Sequence, residues 1–152
     1  MKLLGNKLLS GFTLVESLLV LLVVTLVLGL PTLQIRQWRE RLEYQGFIEE
    51  FEQRLIQTQQ SAIVFQRRTR VQTEKEASTI EFGFFKGDGR FVIETLSIPR
   101  GVTIQRSVSL SFIGKSGNVE QHHTFRFQTP YHEQYLEYVY QIGSGRFVIK
   151  ER

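Results

Sequence analysis

Gly11-Phe12-Thr13-Leu14-Val15-Glu16-Ser17 opens an apolar run that continues to Leu30 and carries a single charge, Glu16. Read as helix at about 1.5 Å per residue, Phe12–Leu30 reaches roughly 28 Å, close to the thickness of a hydrocarbon core. A carboxylate inside such a helix costs roughly 2.5–3.5 kcal/mol at a bilayer centre. Glu16 therefore marks a functional position. Ahead of the run stands a polar leader, residues 1–11, with Lys2 and Lys7 and no acid. A cut at Gly11 would leave the apolar segment on the mature chain. An ordinary secretory cut would fall after the run, near Val27-Leu28-Gly29, but the run exceeds the usual core of about 7–15 residues. A plain uncleaved anchor is the other alternative.

Beyond Leu30 the pattern changes twice. Pro31 predicts a kink or short break, because its ring cannot donate a backbone bond. From Gln34 to Gln66 the spacing is helical: Tyr44, Ile48, Phe51, Leu55, Ala62 and Phe65 recur at intervals of three and four, with Phe47 and Ile63 beside them. Gln59 interrupts this stripe. After Arg67-Arg68-Thr69-Arg70 the period becomes strand-like. Thr79–Phe85 and Arg90–Leu96 flank Lys86-Gly87-Asp88-Gly89, a hairpin signal. Short strand patterns follow at 102–105, 109–112, 124–128, 135–142 and 146–149, the last two joined across Gly143-Ser144-Gly145. The expected organisation is a leader at 1–11, a transmembrane or filament-core helix at 12–31, its amphipathic continuation at 32–68 and a β-rich domain at 69–152. The expected fold class is α+β: a long N-terminal α-helix, membrane-spanning in its first half, packed on one C-terminal antiparallel sheet of six or seven short strands.

The bulk properties exclude more than they assign. The 152 residues suit one modest domain with an appendage. A formal charge of +4 is too mild to argue for nucleic acid by itself. With no cysteine there is no disulfide frame and no thiol chemistry. His122 and His123 are adjacent, so on a strand they point to opposite faces and cannot readily share a metal; His132 is the third histidine. Asp88, the only aspartate, reads as a turn residue rather than the start of a calcium loop. No nucleophile elbow, nucleotide loop or zinc motif is present. The expectation is a protein that is not an enzyme and holds no cofactor or metal. The basic residues cluster: Arg67, Arg68 and Arg70 at the helix–sheet junction, and Arg146, Lys150 and Arg152 at the C-terminus with Phe147 among them. Such groups are candidates for contact with DNA or with a protein partner.

Gly11-Phe12-Thr13-Leu14-Val15-Glu16 resembles the processing motif of type IV prepilins and pseudopilins. The layout is similar too: basic leader, apolar helix, amphipathic continuation, small sheet domain. Within the family, the small size, the lack of cysteine and the Gly143-Ser144-Gly145-Arg146-Phe147 ending look most like the ComGD-type minor pseudopilins of competence machinery. The minor pseudopilins of type II secretion-like systems are close neighbours. The resemblance implies cleavage by a prepilin peptidase between Gly11 and Phe12 and N-methylation of Phe12. It implies that Glu16 faces the Phe12 amine of an adjacent subunit in a filament. The implied partners are other major and minor pseudopilins, the peptidase, the assembly machinery in the membrane and, as a further candidate, DNA. The implied function is support of pilus assembly and DNA uptake in transformation. The implied location is the cell membrane, single-pass with the globular domain outside the cytoplasm, and then the surface pilus. Pro31 lies earlier than the proline of many major pilins.

Overall fold

The computed structural model describes residues 13–129 and 135–151; within the helix, the side chains of residues 28–34, 36 and 37 lie outside that description. Gly11, Phe12, His132 and Arg152 also lie outside it. The chain divides into two compact units, Met1–Arg39 and Glu40–Arg152.

Helix α1 spans Leu14–Phe65. Its start is fixed locally. The Thr13 hydroxyl accepts a hydrogen bond from the Glu16 amide at 3.2 Å, and the Thr13 carbonyl accepts one from the Ser17 amide at 3.1 Å. Thr13 is thus the N-cap and Glu16 the third helical residue, the spacing of a capping box. The acid in the first turn also suits the positive end of the helix dipole. The helical backbone continues through Pro31 without the expected break. It stops where Gln66 takes a left-handed φ of 53° and its amide bonds back to the Ile63 carbonyl.

Among the described residues eight strands follow: β1 Thr69–Thr73, β2 Thr79–Phe85, β3 Phe91–Ser97, β4 Thr103–Ile104, β5 Val108–Phe112, β6 His123–Gln128, β7 Leu136–Tyr140 and β8 Phe147–Glu151. They form two four-stranded antiparallel sheets, ordered β3-β2-β1-β5 and β4-β6-β7-β8. The β2–β3 hairpin turns at the predicted place. Gly89 has φ 78°, its amide bonds to the Lys86 carbonyl, and the Asp88 carboxylate accepts the Arg90 amide at 3.1 Å. These bonds hold the Asp88 carboxyl below its ordinary value, the backbone bond from Arg90 first and the Arg90 side chain second.

The globular unit is centred on Phe51, which is fully buried. Its ring meets Phe82 of the first sheet at 6.1 Å, and Phe125, Phe127 and Tyr138 of the second at 5.1–5.4 Å, all edge-on. Edge-to-face aromatic pairs add about 0.5–1.5 kcal/mol each beyond area burial. Tyr44, Phe47, Leu55 and Ala62 extend the same buried stripe. Polar side chains join helix to strands within it. The Ser61 hydroxyl donates to the Phe85 carbonyl at 3.0 Å and accepts the Phe85 amide at 2.8 Å. The buried Thr69 hydroxyl donates to the Thr58 carbonyl at 2.9 Å.

The expected fold class requires correction. The single sheet is two sheets, because β5 pairs with β1 while β6 pairs with β4 and β7. The membrane-spanning first half is not found: among the described residues no helix is long and apolar enough to cross a membrane. Nor does the long helix as a whole pack on a sheet; burial begins at Tyr44, and the described residues before it are exposed. The transmembrane description, and the single-pass membrane location that depended on it, fall with that finding.

Candidate assembly and binding surfaces

The N-terminal part of α1 presents one candidate surface. Between Leu14 and Val27 every leucine and valine is exposed, from 45% at Val24 to 76% at Leu14. These residues occupy successive positions, so they cover all sides of the helix rather than one stripe. Glu16 is exposed among them, its backbone amide held by Thr13. A helix apolar all round is one that other apolar matter surrounds. Phe12, the amine expected to face Glu16, lies outside the described residues, as does Gly11.

The basic residues are divided rather than gathered. Arg67, Arg68 and Arg70 stand at the entry to the first sheet, while Arg146, Phe147 and Lys150 are on or beside β8, the outer strand of the second. Several already have partners. The Arg67 guanidinium lies 5.1 Å from the Phe85 ring centroid, and Arg68 pairs with Glu120 at 2.8 Å. Phe147 packs at 5.3 Å from Tyr138 and 5.6 Å from Tyr140, so its ring belongs to the core margin rather than to a stacking platform. Lys150 stands opposite Glu137 in the β7–β8 register.

The Gly-x-Gly-Arg-Phe ending has a structural explanation. Gln59, the residue that breaks the helical stripe, donates through Nε2 to the carbonyls of Gly117 at 2.9 Å and Gly145 at 2.7 Å. A Cβ on Gly145 would stand 2.1 Å from that nitrogen and 2.6 Å from the Gly117 carbonyl oxygen. Gly145 is required for this close approach, and Gly143 supplies a φ of 71° in the same turn. The helix, the β5–β6 connection and the β7–β8 turn are tied at one point.

Sequence reasoning missed a groove of about 570 Å³ lined by Arg106, Ser107, Ser109, His122, His123, Thr124 and Arg126, with Val108 and Gln121. It lies where β5 of one sheet meets β6 of the other. On β6 the buried Phe125 and Phe127 face the core, which turns Thr124 and Arg126 outward. His122 Nε2 lies 3.2 Å from the Thr124 hydroxyl. Arg126 donates through Nε to the buried Glu137 carboxylate at 2.6 Å, and its guanidinium lies over the Tyr135 ring. Arg106 is exposed. Burial, and then the charge of His122, hold His123 below the ordinary histidine value. A scan for dispersed basic residues between Gln105 and Arg126 would have found the groove only with the strand pairing known. Among the described residues no cluster of three metal-ligating side chains occurs.

No family model, no curated protein and no solved structure matches the chain. The resemblance to prepilins therefore rests on the residues themselves.

Proposed function

We propose that the chain is a minor pseudopilin: a non-catalytic subunit of a competence-type pilus that supports filament assembly and DNA uptake. The observation that carries this reading is the all-round apolar surface of Leu14–Val27, placed directly after a Gly-Phe junction and capped by Thr13. Burying a Leu or Val side chain contributes about 1.5–3 kcal/mol, so like helices from neighbouring subunits gain much by surrounding this one. A bundle of several helices covers every side, which a single docking partner cannot do.

Glu16 has two roles in this reading. Its amide completes the N-cap in the isolated chain. In the bundle its carboxylate pairs with the N-terminal amine of the next subunit's Phe12. A carboxylate buried without a partner is strongly unfavourable, so the pair selects register more than it adds stability. The test is coexpression with a prepilin peptidase and the other filament subunits. Loss of residues 1–11 and recovery of the chain in filaments support the reading. A Glu16→Ala chain that is processed yet assembles as well as wild type would contradict the register role.

A further inference from the structure

The geometry points to the Arg106–His122–Arg126 groove as a binding site for the phosphate backbone of a nucleic-acid strand. Three observations support it. No Asp or Glu is among the groove's described lining residues, whereas the adjoining groove across Ser107–Ser109 contains Glu74 and Glu81. A polyanion is thus drawn to one side of this ridge and repelled from the other. The lining combines guanidinium and imidazole groups with the hydroxyls of Ser107, Ser109 and Thr124, the donor set that contacts phosphate oxygens. At about 570 Å³ the groove is far larger than one oxyanion needs, which suits consecutive phosphates along a chain.

The groups are not equivalent. Arg126 commits Nε to Glu137 and serves as a fixed wall. The Ser107 hydroxyl oxygen accepts the Lys75 amide at 3.0 Å, which leaves its proton to donate outward. No ion pair joins Arg106 to a described residue, so its charge is available to a ligand. Among the described lining residues there is no aromatic ring on which a base could stack beyond the two imidazoles. Binding is therefore sequence-independent and salt-dependent. An acidic peptide is the competing ligand, but among the described lining residues only Val108 is aliphatic.

Binding itself does not depend on the filament reading; only its service in DNA uptake does. The test uses the full chain in a non-ionic detergent and a labelled single-stranded oligonucleotide, followed by fluorescence anisotropy across a salt series. Arg106→Gln should weaken binding about tenfold and reduce the salt slope by about one. His122→Ala should also weaken it. Arg90→Gln, in the β2–β3 turn away from the groove, should leave it unchanged. Poly-glutamate of equal charge should compete poorly. Unchanged affinity in Arg106→Gln, or an equal loss in Arg90→Gln, would overturn the site. Equal displacement by poly-glutamate would overturn the nucleic-acid assignment. Failure of leader cleavage or co-assembly would overturn the filament reading while leaving this binding intact.

Discussion

Replacing Gln59 with alanine removes a side chain that ties α1 to two loops at once. The lost bonds are those from Nε2 to the Gly117 and Gly145 carbonyls, at 2.9 and 2.7 Å. A hydrogen bond of this kind contributes about 1 kcal/mol net, and an acceptor left without a partner costs more. The site is half-buried, so water reaches part of it, and alanine recovers a few tenths of a kcal/mol in helix propensity. The expected loss is about 2 kcal/mol. For a unit of this size that lowers Tm by roughly 8 °C, measured by circular dichroism with urea midpoints as a second readout. Gly145→Ala attacks the same point from the other side, through a Cβ 2.1 Å from the amide nitrogen. The double variant should lose less than the sum of the two singles, by about 1 kcal/mol, because one clash vanishes with Gln59. A Gln59→Ala chain within about 0.5 kcal/mol of wild type, or strict additivity in the pair, would refute the clamp.

Other outcomes follow from single contacts. Phe51→Ala empties the centre between the two sheets and should cost about 3–5 kcal/mol, read as loss of the cooperative thermal transition or a large fall in Tm. Ser61→Ala leaves the Phe85 amide and carbonyl without their helix partner and should cost about 1–3 kcal/mol by urea denaturation. His123 has a lowered folded value, so the unfolded chain binds its proton more readily. Stability should therefore fall as pH drops through the ordinary histidine value of 6.5, and His123→Asn should flatten that part of a Tm-against-pH profile. Asp88 likewise has a folded value below its unfolded one, so the stability it contributes is present above the unfolded value and lost as pH falls through the folded one. Amide exchange in the 86–90 turn should quicken in Asp88→Asn at neutral pH, and the difference from wild type should vanish in strong acid.

The elements that sequence made legible are those with an apolar period. The stripe at Tyr44, Phe51, Leu55 and Ala62 is the buried face of α1, and Asp88-Gly89 turns the β2–β3 hairpin where its residue types require. Strand β1 was hidden because its inward positions are Thr69, Val71 and Thr73. Threonine reads as polar, yet both threonines are buried with their hydroxyls bonded to carbonyls, at Thr58 for Thr69 and at Thr79 for Thr73. Because β1 was missed, its pairing with β5 was missed, and with it the division into two sheets. Gln59 was read as an interruption because its partners, Gly117 and Gly145, are far away in sequence. The groove was invisible for the same reason: Arg106 and His122 meet only through the placement of β5 and β6. The apolar composition of Phe12–Leu30 suggests a membrane span, but among the described residues no helix is long and apolar enough to cross a membrane.

The filament reading rests on processing at one peptide bond, and intact mass reports it directly. The full chain is expressed with and without a prepilin peptidase, and the purified product is weighed by mass spectrometry. The expected product lacks residues 1–11 and carries one added methyl group on Phe12, only when the peptidase is present. An unchanged mass with active peptidase, or a cut after Gly29 in either culture, would contradict it.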